Sequence, residues 1–432
     1  MFKMNWSFKY LVSGIVCFFA LLIGFDPIYA ATSFTDKGYT LEQVVVMSRH
    51  GIRTPLAGRG TIAEKITTHK WHQWSIPPGH LTLKGAINET AFGQYFQCYL
   101  EDEGLIPDNW IPGDGEVSFY ANSFQRTIAT ARYFSAGMLP IVDVQVEHEL
   151  GLDLPDPFFI QPIVYDTPRL YELGIAFPEK YFESSRAKSQ TMLASFEKVT
   201  DFQHSEYARE KGIQHLSVDD FQISLKGAEK NRPSFSGSLR DAYKVSDVLI
   251  MQYYEVADNK QADWGTGLTD TEWKDIGDIM SSGLGIVCEN PAIALRNTHN
   301  ILDYIDKELQ DSNKKFAFLC GHDTNLIMLM TVLGAGDYHV PETIVDKAPI
   351  GGKIVFEKRR GQDGELYINA YMIYQNDRQI RNCEILDLNN PPQRYQITLS
   401  SIERNADGLY RYSDFQNLLK DISAKYQYYT EK

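Results

Sequence analysis

Beyond its first thirty residues the chain lacks any apolar run long enough to span a bilayer. It lacks internal repeats and low-complexity tracts, so solenoids and disordered tails are excluded. It lacks positive charge: the formal net charge is -14, which argues against nucleic acid or an anionic membrane surface as the main partner. An acidic protein that binds phosphate therefore needs a local cluster of arginines. Cysteine is scarce, with five in 432 residues, and Cys98, Cys288, Cys320 and Cys383 are not spaced as a metal site. An exported chain could pair these four in three ways, and buried thiols are an equal reading. Ligand spacing is also missing from His69, His72, His80, His148, His204, His215, His299 and His339. What is present is a hydrophobic fraction of 43% with moderate glycine and proline, the composition of a folded globular protein.

The N-terminus reads as a secretory leader. Lys3 and Lys9 make it basic, an apolar run from Leu11 to Phe25 follows, and Asp26, Pro27, Ala30 and Ala31 close it. Cleavage is expected after Ala30, with a periplasmic location and no stable membrane association afterwards.

Three places carry an apolar strand followed by a polar turn and an expected helix. They are Val44–Ser48 with Arg49-His50-Gly51, Val117–Ala121 with Asn122-Ser123, and Phe316–Cys320 with Gly321-His322-Asp323. Short apolar runs bounded by turn residues read as buried strands of a mostly parallel sheet. Helices are expected at Phe124–Phe134 and Thr324–Leu333, ending at Gly137 and Gly334 as C-caps. Ile87, Ala91, Tyr95 and Cys98 mark a further helix near 84–105, Leu239, Tyr243, Ile250 and Tyr253 another, and Leu302, Ile305 and Leu309 a third. Gly352–Lys358 and Leu366–Tyr374 alternate like a hairpin. The expected organisation is a leader at 1–30, an α/β domain at 31–154 and 234–432, and an inserted, mainly helical domain at 155–233.

In such sheets ligands bind beyond the C-terminal strand ends. All three patterns put charge there: Arg49, His50, Arg53, Arg126, His322 and Asp323. Arginine offers a planar fork that pairs two phosphate oxygens, so Arg49, Arg53 and Arg126 can surround one phosphoryl group. A helix N-terminus after His50 would add backbone donors. A neutral imidazole is a competent nucleophile toward phosphorus, and neighbouring cations should keep His50 unprotonated in mild acid. Asp323 is placed to protonate the leaving alcohol, and His322 to donate to a phosphate oxygen. Taken singly, Arg-His-Gly could be a surface turn, His-Asp a helix cap and Arg126 a helix-surface residue; their joint placement favours function.

Arg49-His50-Gly51-Ile52-Arg53-Thr54-Pro55 together with Gly321-His322-Asp323 resembles the histidine acid phosphatases, a branch of the histidine phosphatase superfamily. Tyr120–Thr127, Gln252–Glu255, Ala262–Gly265, Pro349–Phe356 and Asn405–Gly408 are similar to the bacterial periplasmic glucose-1-phosphatases among them. The resemblance implies a three-layer α/β/α core, phosphoglycerate mutase-like, plus a smaller helical domain with the site between them. It implies His50 as nucleophile, Asp323 as proton donor, and Arg49, Arg53, Arg126 and His322 as phosphate ligands, with no metal or other cofactor. The expected substrate is a small phosphorylated molecule, a sugar phosphate in the first instance. Gly51 follows the wider family and its phytases, where a glucose-1-phosphatase of this resemblance carries Asn. A gapless alignment puts Arg232, rather than nearby Glu229, at an acidic pocket-wall position, which leaves inositol phosphates as the alternative. A rival of another class is a non-catalytic sugar-phosphate receptor, which would need the arginines but neither His50 nor Asp323.

Overall fold

Apolar runs without alternation suit strands covered on both faces, and the first of them forms β1 (Thr40–Arg49), buried without a break from Gln43 to Arg49. In this computed structural model the described residues are 34–56, 61–149, 151–154, 156–161, 179–224 and 234–430. The leader read at 1–30, Glu229 and Arg232 lie outside them. β2 is Val117–Ala121. β3 (Gln222–Ser224) and β4 (Ser234–Ser236) form a separate antiparallel ribbon. β5 (Phe316–Gly321) is buried throughout. β6 (Lys353–Arg360), β7 (Leu366–Tyr374), β8 (Gln393–Gln396) and β9 (Tyr410–Arg411) complete the main sheet.

The main sheet has the order β2-β5-β1-β6-β7-β8, with β9 on β7. The motif-bearing strands β2, β5 and β1 run parallel; β6 pairs antiparallel to β1, and β6 with β7 makes the expected hairpin. Successive side chains of one strand face opposite ways, and the core divides accordingly. Val45, Met47, Ala317, Leu319, Ile354 and Phe356 face one layer. Val44, Val46, Phe316, Phe318, Cys320 and Val355 face the other. The second layer is closed by helices Leu83–Asp102 and Gln125–Met138. The first is closed by helices Ser238–Glu255, Asp270–Cys288, Pro291–Gln310, Asp323–Val332 and Tyr412–Thr430. The helix Glu179–Thr200 packs on Ser238–Glu255 and Asp270–Cys288. This is the three-layer α/β/α core that the sequence predicts.

Some local expectations change. No helix starts after His50: residues 51–56 are irregular, and Arg53 bridges Leu81 antiparallel. Pro55 and the pairing with Leu81 keep the segment extended, and the next helix is the short Ile62–Lys65. Gly334 takes the left-handed conformation of a cap (φ 73°), but Gly137 lies inside its helix. There it serves close packing. A Cβ on Gly137 would collide with the carbonyl of Thr90, and one on Gly93 with that of Phe134, so the two helices cross backbone against backbone. Ile87 is 45% exposed, whereas Ala91 and Tyr95 are buried as expected and Cys98 is half-buried; Gly85, Glu89, Phe92 and Phe96 widen the buried face. Cys98, Cys288, Cys320 and Cys383 carry thiols rather than disulfides. Among the described residues no helix is long and apolar enough to cross a membrane.

Candidate active site

The register of the parallel strands brings three chain segments to one rim. Arg49 of β1 pairs with Gly321 of β5, and Ala121 of β2 with Cys320. The ladder continues one step further, with His50 N–H donating to Gly321 O at 3.1 Å and Asn122 N–H to Cys320 O at 2.9 Å. His50, Asn122 and His322 therefore leave the sheet side by side. Helix Gln125–Met138 then carries Arg126 in its first turn, and helix Asp323–Val332 begins at the aspartate itself, with His322 N–H donating to Asn325 Oδ1 at 2.9 Å.

His50 is buried, and its ring nitrogens are distinguishable. Nδ1 lies 2.9 Å from Gly51 O. A carbonyl only accepts, so Nδ1 carries the proton and Nε2 keeps its lone pair. Burial, then the charges of Arg126, Arg53 and Arg49, push its pKa well below the ordinary value, so the ring stays neutral in mild acid. The peptide joining His50 to Gly51 is pinned from both sides: Gly351 N–H donates to its oxygen at 3.2 Å, and its N–H donates to Thr130 Oγ1 at 3.0 Å.

His322 stands with its ring centroid 5.5 Å from that of His50. Asn122 Oδ1 accepts from Asp156 N–H at 3.4 Å, which turns its amide nitrogen toward His322 Nε2 at 2.9 Å. A neutral His322 thus carries its proton on Nδ1, and Arg126 Nη2 lies 3.5 Å from that nitrogen. Two donors side by side suit one anion. Burial, with Arg126, Arg53 and Arg49, also lowers the His322 pKa well below the usual value.

Three buried or largely buried guanidinium groups surround these rings. Arg49 is fully buried, bonds Ala348 O through Nη1, and faces Asp323 Oδ2 at 3.2 Å. Arg53 forms a two-pronged pair with Asp247 at 2.6 and 3.1 Å. Arg126 packs on Phe124, 4.6 Å from the ring centroid; burial and then Arg53 bring its pKa down to about 10, which leaves it charged in acid. Among the described residues Arg49 Nε, Arg53 Nε and Arg126 Nε are buried donors without a hydrogen-bond acceptor, and Arg49 Nη2 has only its ion pair with Asp323. Buried donors are normally satisfied, so three of this kind at one place mark a built anion site. Asp323 adds a carboxyl group to the same rim, its Oδ1 held by Thr324 N–H at 2.7 Å.

Comparison with known proteins agrees with this geometry. The family model described as histidine phosphatase superfamily (branch 2) matches residues 40–162. The chain is 32% identical to a glucose-1-phosphatase of Salmonella typhimurium over 393 residues, covering 89% of this chain and 93% of that one. It belongs to branch 2 of the histidine phosphatase superfamily. A second glucose-1-phosphatase, from Providencia rettgeri, is 30% identical over 418 residues, 95% of this chain and 98% of its own. The solved phytase of Citrobacter braakii superposes with a TM-score of 0.80 at 26% identity, covering 89% of this chain and 98% of the phytase. This branch 2 chain is accordingly a phosphatase.

All six residues singled out from the sequence of this phosphatase meet at the rim. Others there escape sequence reasoning. Asp247, which holds Arg53, is half-buried on helix Ser238–Glu255 at helical spacing between Tyr243 and Ile250, and an acid at that spacing in an apolar pattern is the signal that could have found it. Glu89 is a similar case on helix Leu83–Asp102. Asn122 reads as an ordinary turn residue and Thr130 as an ordinary helix residue; only tertiary contacts give them their roles.

Proposed function

We propose that the protein hydrolyses phosphate monoesters through a phosphohistidine on His50, with sugar phosphates such as glucose 1-phosphate as preferred substrates and broad tolerance of the leaving group. Arg49, Arg53, Arg126 and His322 hold the phosphoryl oxygens and the charge spread over them in the transition state. The Nε2 lone pair of His50 attacks phosphorus in line, the phosphorus–ester oxygen bond breaks, and the departing oxygen takes the proton of the Asp323 carboxyl group. The ring becomes a cation at this step, and its Nδ1–H bond to Gly51 O strengthens. Water then attacks phosphorus, gives a proton to the Asp323 carboxylate, and the N–P electron pair returns to Nε2. Alcohol and inorganic phosphate leave.

The observation that carries this reading is a buried imidazole with Nδ1–H committed to a carbonyl and Nε2 left free, set among guanidinium donors without acceptors. The same proposal puts the enzyme in the periplasm, supported by the basic, apolar and small residues ordered along its first thirty positions. A second reading, action on inositol phosphates, draws support from the likeness to the Citrobacter braakii phytase. The deciding experiment is a substrate panel at mildly acidic pH with glucose 1-phosphate, an aryl phosphate and phytate. Highest kcat/KM on glucose 1-phosphate supports the first reading and highest on phytate the second. Phosphate binding without turnover of any of the three would make the protein a receptor instead.

A further inference from the structure

Next to Gly51 the structure buries two opposite charges that the chemistry above does not use. Lys353 opens β6 and Glu89 lies on helix Leu83–Asp102, with side chains 0% and 2% exposed. Lys353 Nζ donates to Glu89 Oε2 at 3.0 Å and to Gly351 O at 2.6 Å. Its ammonium also sits 4.0 Å from the ring centroid of Phe92. Burial pushes the Glu89 carboxyl up and the Lys353 ammonium down, and each ion opposes the shift of the other. Desolvating such a pair is costly, and an apolar pair of similar volume would serve stability as well. What the two ions touch gives them a different task.

Gly351, whose carbonyl Lys353 holds, donates its own N–H to the carbonyl of His50. Glu89 Oε1 fills the space beside two glycines: a Cβ on Gly51 would lie 3.1 Å from it, and one on Gly351 2.7 Å. Gly51 in turn supplies the carbonyl that fixes the His50 tautomer, and its N–H is held by Thr130. The two hydrogen bonds of the His50–Gly51 peptide therefore lead to Thr130 directly and, through Gly351, to Lys353 and its partner Glu89. We propose that Glu89 and Lys353, together with Thr130, are positioning residues for His50, clamping the Gly51 and Gly351 backbone that aims the imidazole at phosphorus. None of them touches substrate. The inference rests on the reading of His50 as the nucleophile.

The test is the double variant Glu89→Leu/Lys353→Met, which removes both ions at once and leaves neither unpaired. Parent and variant are compared by circular dichroism, by steady-state kinetics on an aryl phosphate, and by rapid-quench measurement of phosphohistidine formation. Misaiming a nucleophile lowers the chemical step, so kcat and the rate of phosphorylation should fall by about tenfold to a hundredfold. KM should stay within about twofold, because the guanidinium cage is untouched. A folded double variant that is phosphorylated at the parental rate overturns the inference, and so does a rise in KM at unchanged kcat. Should the double variant not fold, Thr130→Val decides in the same way: a slower phosphorylation at unchanged KM supports the clamp, and the parental rate overturns it. A parent that turns over substrate without forming phosphohistidine on His50 refutes the nucleophile reading itself and takes the clamp with it.

Discussion

Arg359 and Arg49 are both fully buried on strands of one sheet, yet their donors are treated in opposite ways. Arg359 spends every arm inside the protein: Nε on Glu357 at 2.9 Å, Nη1 on Glu103 at 2.8 Å and Nη2 on the Tyr99 hydroxyl at 2.9 Å. Glu357 answers by accepting from Tyr99, Tyr371 and Asn369 as well. Burial alone would raise the Glu357 carboxyl, but Arg359 and Arg394 bring it down to about 2. Among the described residues Arg49, Arg53 and Arg126 each keep their Nε donor without an acceptor. A closed network rigidifies the fold, whereas an open one holds binding capacity in reserve for an anion from outside. Satisfaction of hydrogen bonds, rather than burial or charge, separates the structural cluster from the chemical one.

The separation can be broken by substitutions. The largest effect is expected for His50→Ala in the open cluster, where kcat should drop by roughly 10⁴-fold or more while vanadate still binds. Retained turnover would remove the nucleophile. In the closed cluster, Arg359→Met removes the cation that Glu357 and Glu103 share, so denaturant unfolding should show a loss of about 3–5 kcal/mol. The catalytic constants of the folded variant should match the parent; a fall in kcat would mean that the two clusters are coupled. Asp323→Asn should slow alkyl phosphates by about 10²-fold or more and aryl phosphates, which have good leaving groups, far less. Equal losses would take the proton-donor role from Asp323.

The smallest effect concerns pH. His50 and His322 have folded pKa values below their unfolded ones. Below about pH 6.5 the unfolded chain therefore binds more protons than the folded one, and stability falls as pH drops, by up to about 1.4 kcal/mol per histidine per pH unit. The variant His50→Asn/His322→Asn should lose less stability than the parent between pH 6.5 and 5. An identical pH dependence would show that these rings do not set it.

The parallel part of the sheet was legible because β1 and β5 are continuous apolar runs that end in turn residues. The convergence of Arg49, His50, Arg53, Arg126, His322 and Asp323 followed from where those strands end. The antiparallel half was readable only at the β6–β7 hairpin. The helix expected after His50 failed because Arg53 finds a partner in Leu81, a contact no local pattern announces. Asp247, Glu89 and Lys353 stayed hidden for a related reason. Sequence assigns charge to solvent by default, and only the packed structure reveals a charge whose partner is buried with it.

The crossing of Gly93 and Gly137 reaches further than packing. Helix Gln125–Met138 carries Arg126 and Thr130, and helix Leu83–Asp102 carries Glu89, so the spacing between these two rods calibrates the pocket. A single methyl group wedged into that joint would shift the rods apart and detune the enzyme at a distance, with every residue of the reaction still in its sequence.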